Sequence, residues 1–180
     1  MQKIKIFIFN KLIGLFLLGI FCFLLISLLT RSEHDPYFGY YTSDANIINF
    51  FGLFGSYFAG TVYLFLSDVS YLIPVFFLIF GYKKIIGIET RFITIRFFSF
   101  TISLALLSLV LKFWSIQNGI IGNSLLKIIN YKFEYLLANN TISFFLFLFL
   151  FFITILLLFY GLSLHFKYTL IIIKPFFKIL

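Results

Sequence analysis

Residues 141–164 read TISFFLFLFLFFITILLLFYGLSL and contain no charged side chain. A helix needs about 20 apolar residues to cross a hydrocarbon core that is roughly 30 Å thick. Three further regions, at 7–29, 69–86 and 92–114, are long and apolar enough for the same purpose. The sequence therefore predicts an all-α polytopic membrane protein with four transmembrane helices in a single domain, residues 1–180.

The composition excludes a soluble globular domain. Of the 180 residues, 62% are hydrophobic and 11% are charged, and the mean hydropathy is +1.11. Soluble domains carry about 25% charged residues. A soluble fold of this size could not bury so much apolar surface, whereas a bilayer can.

The first apolar region could also be a secretory signal peptide, because Lys3, Lys5 and Lys11 give it a basic start. Signal peptides have shorter apolar cores, of about 7–15 residues, followed by a small-residue cleavage site. This region is longer and no such site follows it, so we expect it to stay in the membrane.

The lysines and arginines predict the orientation of the helices. Ten of the 14 lie in the N-terminal segment, the loop at 82–96 and the C-terminal tail, and four lie in the other two loops. Basic residues favour the cytoplasmic side. We therefore expect a multi-pass protein of the bacterial inner membrane with both termini in the cytoplasm. The net charge of +8 then reflects topology, and we expect no direct nucleic-acid binding by this segment.

Two glycine-bearing segments, at 50–66 and 120–138, are predicted to be amphipathic or re-entrant helices on the periplasmic side. In the first, small residues recur on one helical face, and small residues let helices approach closely in a membrane. That face is the candidate for helix packing, although chance spacing of common residues is the alternative. Its members are Gly52, Gly55, Ser56, Ala59 and Gly60.

The second segment begins at the periplasmic glycines Gly119 and Gly122. It carries a polar stripe opposite its apolar side chains, which is typical of a helix at a membrane interface. The stripe consists of Asn123, Lys127, Asn130 and Glu134. A plain connecting loop is the alternative. The two halves of the chain share this plan, which suggests an internal duplication.

Asp68 is an acid within a long apolar stretch. Intramembrane acids often mark ion or substrate paths. A second interpretation is a structural cap for a helix that starts near Val69, supplied by Ser67 or Asp68. We favour the cap, because a proton path would need further buried ionisable groups.

Catalysis by these 180 residues is not expected. His34 and His165 are predicted on opposite sides of the membrane and cannot share a metal ion. No phosphate-binding G-x-x-x-x-G-K-[ST] motif occurs in the sequence. We expect neither a cofactor nor a small-molecule substrate.

Several short motifs, in order along residues 5–165, resemble the N-terminal four-helix membrane domain of the FtsK/SpoIIIE DNA translocases. The family pattern is not kept at four positions, which are Ser67, Ser56, Gly60 and Asn118. The matching motifs are Ser32-Glu33-His34-Asp35-Pro36, Asn49 with Gly52 and Gly55, Tyr71-Leu72-Ile73-Pro74, Gly81 with Lys83 and Lys84, Gly119 with Gly122, and Gly161-Leu162-Ser163.

The resemblance implies a membrane anchor that places a cytoplasmic motor at the division septum and serves cell division and chromosome segregation. It also implies contacts with other division proteins and a homo-oligomer, a hexamer. The phosphate loop of the motor is missing, so the segment is expected to be an excised domain, a split gene or a fragment. The alternative is a small membrane subunit of a transporter or respiratory complex.

Overall fold

The computed structural model describes residues 2–41, 47–116 and 119–164, and these residues form helices joined by turns and loops. Within these ranges there is no strand, and the pairing of Tyr37 with Tyr40 is an isolated bridge. The helices are α1 (Gln2–Leu29), α2 (Gly52–Leu66), α3 (Leu72–Ile85), α4 (Ile93–Phe113), α5 (Ile120–Lys132), α6 (Glu134–Leu137) and α7 (Asn140–Gly161), with a 3₁₀ turn at Ser67–Tyr71 before α3.

Four helical regions are long and apolar enough to cross a membrane, namely Ile8–Leu29, Gly52–Ile85, Ile93–Phe113 and Asn140–Gly161. The predicted all-α architecture and its four membrane-competent helices are confirmed. Within the second region, Ser67 has a positive φ of 52° and ends α2. The 3₁₀ turn and α3 together measure about 30 Å, which matches the hydrocarbon core.

Helix α2 differs from the amphipathic alternative predicted for residues 50–66, and the re-entrant alternative stays a prediction. Its buried face consists of small residues and, at its C-terminal end, Leu66, and its exposed face carries Leu53 and Phe54. The helix is therefore apolar all round and not amphipathic. The predicted segment 120–138 is amphipathic in its first part, α5, but the chain breaks at Phe133 before the short helix α6.

Two antiparallel helix pairs form the body of the molecule. Helix α3 packs along α1, and a Cβ atom added to Gly14 would lie 2.8 Å from the carbonyl oxygen of Gly81. Helix α7 packs along α4, where a Cβ added to Gly161 would lie 2.8 Å from the Cα atom of Phe100. Small residues thus allow close backbone approach where lipid offers no hydrophobic drive between helices.

Each pair has a short helix at the same end of the molecule, which we call the loop end. Helix α2 contacts α1 there, with the ring centroids of Phe23 and Phe58 6.3 Å apart. Helix α5 contacts α4 through Gly122. Each half therefore places one helix at the loop end between the two helices of its pair, with the short α6 added in the second half, and the internal duplication stays a prediction.

Aromatic side chains join the two pairs. The ring centroid of Phe76 lies 4.4 Å from that of Phe80 and 4.8 Å from that of Phe100 on α4. All three residues are buried, together with Leu104. This cluster forms the core between α3 and α4.

Candidate functional site

The best-defined polar site lies at the loop end, around the carboxylate of Asp35. This side chain is 3% exposed and accepts hydrogen bonds from the backbone N–H groups of Ile48, at 2.7 Å, and Asn49, at 2.9 Å. A buried carboxylate is costly unless hydrogen bonds compensate it, and charge-assisted bonds are the stronger ones. Asp35 therefore closes the loop between α1 and α2. Pro36 beside it is also buried.

Asn49 fastens this loop to α1. Its Nδ2 atom donates to the carbonyl oxygen of Ser27 at 2.7 Å, and its Oδ1 atom accepts from the backbone N–H of Phe51 at 3.2 Å. Next to it, the backbone N–H of Phe50 donates to Thr30 Oγ1 at 3.1 Å. These bonds hold the start of α2 against the last turns of α1. We call Asp35, Asn49 and Thr30 the clamp.

The small residues of α2 face the loop held by the clamp. A Cβ atom added to Gly55 would overlap the side-chain oxygen of Asn49, and one added to Gly60 would lie 2.5 Å from Tyr37 Cβ. Gly52, with φ of +59°, has open space around it. The full set of buried small residues is Gly55, Ser56, Ala59 and Gly60. The structure thus gives Gly55 and Gly60 loop neighbours in place of the helix expected from their spacing.

A short aromatic turn projects from the clamp. Tyr37 and Tyr40 exchange backbone hydrogen bonds of 3.1 and 2.9 Å, and the N–H of Phe38 donates to Thr61 Oγ1 at 3.2 Å. Phe38 is 65% exposed and Tyr41 is 83% exposed. The clamp therefore supports a fixed backbone that presents exposed aromatic side chains.

Gly119 and Gly122 lie at close contacts between helices. A Cβ atom added to Gly119 would lie 2.7 Å from the carbonyl oxygen of Phe65, at the end of α2. One added to Gly122 would lie 2.5 Å from the carbonyl oxygen of Ser108 on α4. The two glycines join α5 to both α2 and α4.

Asp68 is not the cap that its sequence position suggested. Helix α3 begins after Tyr71, and neither that helix nor the preceding 3₁₀ turn has a side-chain cap. Asp68 is exposed, and its carboxylate accepts a hydrogen bond of 3.1 Å from the hydroxyl of Tyr63. The guanidinium of Arg31 lies 3.7 Å from the centroid of that tyrosine ring. Asp68 thus lies at one end of a row of three interacting surface side chains, followed by Tyr63 and Arg31.

The opposite end of the bundle carries basic residues, and we call it the basic end. Lys83 Nζ donates to the carbonyl oxygen of Ser163 at 2.5 Å. Arg96 Nη1 donates to the carbonyl oxygen of Tyr160 at 2.8 Å. Both carbonyls lie at the C-terminal end of α7, where the helix dipole favours cations. Lys83 and Ser163 are 80 positions apart in the sequence, and Arg96 and Tyr160 are 64 positions apart.

Sequence reasoning missed the clamp role of Asn49 and the contacts of Lys83 and Arg96. Asn49 and Lys83 stood out only as parts of motifs, and Arg96 was assigned to topology alone. His165 and Asn118 lie outside the residues that the structure describes. In the described ranges, no group of three or more His, Cys, Asp or Glu residues is placed to hold a metal ion.

Comparison with known proteins places these features in a family. The family model for the 4TM region of the DNA translocase FtsK/SpoIIIE matches residues 8–169. That range includes the clamp, both helix pairs and the basic end. Comparisons with curated proteins and with solved structures gave no significant match. Because the family model covers most of the sequence, the chain belongs to the family of the FtsK/SpoIIIE 4TM region.

Proposed function

We propose that this segment is the membrane-anchoring and septum-localisation module of an FtsK-like DNA translocase in cell division and chromosome segregation. The observation that carries the proposal is the family match over residues 8–169. The clamp supports it, since Asp35 and Asn49 bond to the backbone and so hold a loop in place. Such bonds suit presentation of a surface better than chemistry on a substrate.

In this proposal α2 and α5 lie along the periplasmic face, with both termini of the chain in the cytoplasm of a bacterial inner membrane. Lys127, Asn130 and Glu134 are exposed, as an interfacial position requires. Helix α2 exposes Phe54 on the opposite side from its buried glycines. Because α2 is apolar all round, it would lie in the acyl-chain region just below the periplasmic headgroups.

The proposed partners are other division proteins and further copies of the chain, assembled as a hexamer. The aromatic turn with Phe38 and Tyr41 offers a protein-binding surface, because exposed tyrosine and phenylalanine are enriched at interfaces. Nucleic acid would be handled by a motor encoded outside these 180 residues. The anchor would hold the motor at the division septum, and the motor would hydrolyse ATP.

A fluorescent fusion to the N-terminus tests localisation. We expect a band at the division septum for the native chain, and a uniform membrane signal from a stable fusion would contradict the proposal. Asp68→Asn is the control variant of this fusion, and it should keep the septal band because it changes an exposed acid outside the clamp. Reporter fusions at each terminus, active only in the cytoplasm or only in the periplasm, test the orientation separately.

A further inference from the structure

Two cations from different halves of the chain converge on one helix end. Lys83 is on α3 and Arg96 is on α4, and both donate to carbonyl oxygens at the end of α7, those of Ser163 and Tyr160. Both side chains are half-buried. The packing of three helices therefore fixes the positions of two positive charges at the basic end.

The two side chains have more N–H donors than their described hydrogen bonds use. A lysine ammonium has three N–H donors and an arginine guanidinium has five. Lys83 uses one for Ser163, and Arg96 uses two, for the carbonyl oxygens of Tyr160 and Arg91. The Tyr160 ring, 4.9 Å from the guanidinium, is a further neighbour of Arg96. The described partners of both cations are thus neutral groups, and a full anion is the complementary ligand.

The surroundings of the cations are apolar and exposed. Phe97 and Phe98 follow Arg96 on α4 and are exposed, as is Tyr160 on α7. A ligand here would meet positive charge beside aromatic and aliphatic surface. A phospholipid has this combination, with an anionic phosphate next to acyl chains. Basic sites between transmembrane helices bind such headgroups.

We infer that Lys83 and Arg96 form a binding site for the phosphate of an anionic phospholipid, whose acyl chains lie against Phe97 and Tyr160. The remaining N–H donors of the two side chains would bond to the phosphate oxygens, as charge-assisted bonds. A duplex of DNA is the less favoured ligand, because the cations are half-buried next to surface that faces acyl chains. Lipid binding at this site would be a function additional to anchoring, and it would not depend on septal localisation.

Lipid binding to the purified chain in a neutral detergent tests the inference. Phosphatidylglycerol and phosphatidylcholine are titrated separately, and bound lipid is counted by native mass spectrometry. We expect a clear preference for phosphatidylglycerol and a loss of about fivefold for each cation removed, in Lys83→Gln and in Arg96→Gln. Arg96→Lys keeps the charge and should keep most of the preference.

Lys127→Gln is the matched control, since it removes an exposed lysine from α5 at the loop end. An equal preference for both lipids in the native chain would overturn the site, and this result needs no variant to fold. Loss of preference in Lys127→Gln as large as in Arg96→Gln would overturn it too. Displacement of phosphatidylglycerol by an equal concentration of inorganic phosphate would indicate a free-anion site. Displacement by a short DNA duplex would indicate a nucleic-acid site, and either result would overturn the lipid assignment.

Discussion

The side-chain nitrogen of Asn49 lies 2.7 Å from the carbonyl oxygen of Ser27 and ties the start of α2 to α1. The same asparagine receives the N–H of Phe51 on its side-chain oxygen, so both ends of one amide are used. A buried amide bonded through both its nitrogen and its oxygen fixes the geometry of the segments it joins. The clamp is therefore where the fold of the loop end is most sensitive to single changes.

Removing the carboxylate of the clamp should destabilise the loop end. Asp35→Ala leaves the backbone N–H groups of Ile48 and Asn49 without their acceptor. An unsatisfied buried donor costs about 1–3 kcal/mol, so we expect a loss in that range or above. Unfolding of the variant by sodium dodecyl sulfate in mixed micelles measures the change. Asp68→Asn serves as the control, and an equal stability of Asp35→Ala and the native chain would refute the clamp.

A methyl group at Gly55 should be strongly unfavourable. It would overlap the oxygen of Asn49 and also meet Phe51 Cβ, at 2.8 Å. Overpacking costs typically about 1–3 kcal/mol, and here it would also displace a buried hydrogen bond. Gly19→Ala is the matched control, because a Cβ there has open space within 4 Å and alanine favours the helix. The same unfolding assay should show Gly55→Ala weakened and Gly19→Ala unchanged or slightly more stable.

The second helix pair depends on Gly161 in a similar way. Its added Cβ would lie 2.8 Å from the backbone N and Cα atoms of Phe100, and backbone cannot move aside as a flexible side chain can. We expect Gly161→Ala to separate α7 from α4 and to cost about 1–3 kcal/mol. Cysteine pairs placed across the two helices would report the separation through slower cross-linking. Unchanged cross-linking, with Gly19→Ala as the reference, would contradict this packing.

Asp68→Asn should have little effect on either stability or membrane conductance. The residue is exposed, and an asparagine oxygen can still accept the hydrogen bond from Tyr63. Surface changes of this kind usually stay within about 0.5 kcal/mol. Proton flux into vesicles containing the purified chain measures the second effect. Flux that is present in the native chain and abolished in Asp68→Asn would favour the transporter alternative over the anchor.

The sequence predicted the helices far better than their contacts. Apolar length is a local property, so residues 141–164 could be identified as a spanning helix without knowledge of any partner. The small residues of α2 indicated that another segment packs closely against their face of the helix, but they did not indicate which segment. Whether the neighbour was a helix or a loop depended on how residues 32–41 and 47–51 pack against α1 and α2. Asp35 and Asn49 decide this packing through bonds between residues 13 to 22 positions apart.

The same limit explains Asp68 and Lys83. A cap was expected at Asp68 for a helix starting near Val69, but the positive φ of Ser67 begins a 3₁₀ turn that delays α3 to Leu72. The contact of Lys83 with Ser163 joins two halves of the chain. No local pattern contains such a pairing, because it arises from the packing of α3, α4 and α7 together.

Exposed aromatic side chains on the turn at Phe38 should matter for recruitment and not for folding. Phe38→Ser with Tyr41→Ser removes two side chains that are 65% and 83% exposed, so stability should change by less than about 0.5 kcal/mol per site. If the turn binds a division protein, septal fluorescence of the fusion should fall severalfold while the membrane signal remains. Tyr131→Ser is the control, since Tyr131 is 87% exposed on α5. An undiminished septal band in the double variant would exclude the turn as the binding surface, while equal losses in the double variant and in Tyr131→Ser would indicate a general membrane-anchoring effect of surface aromatics.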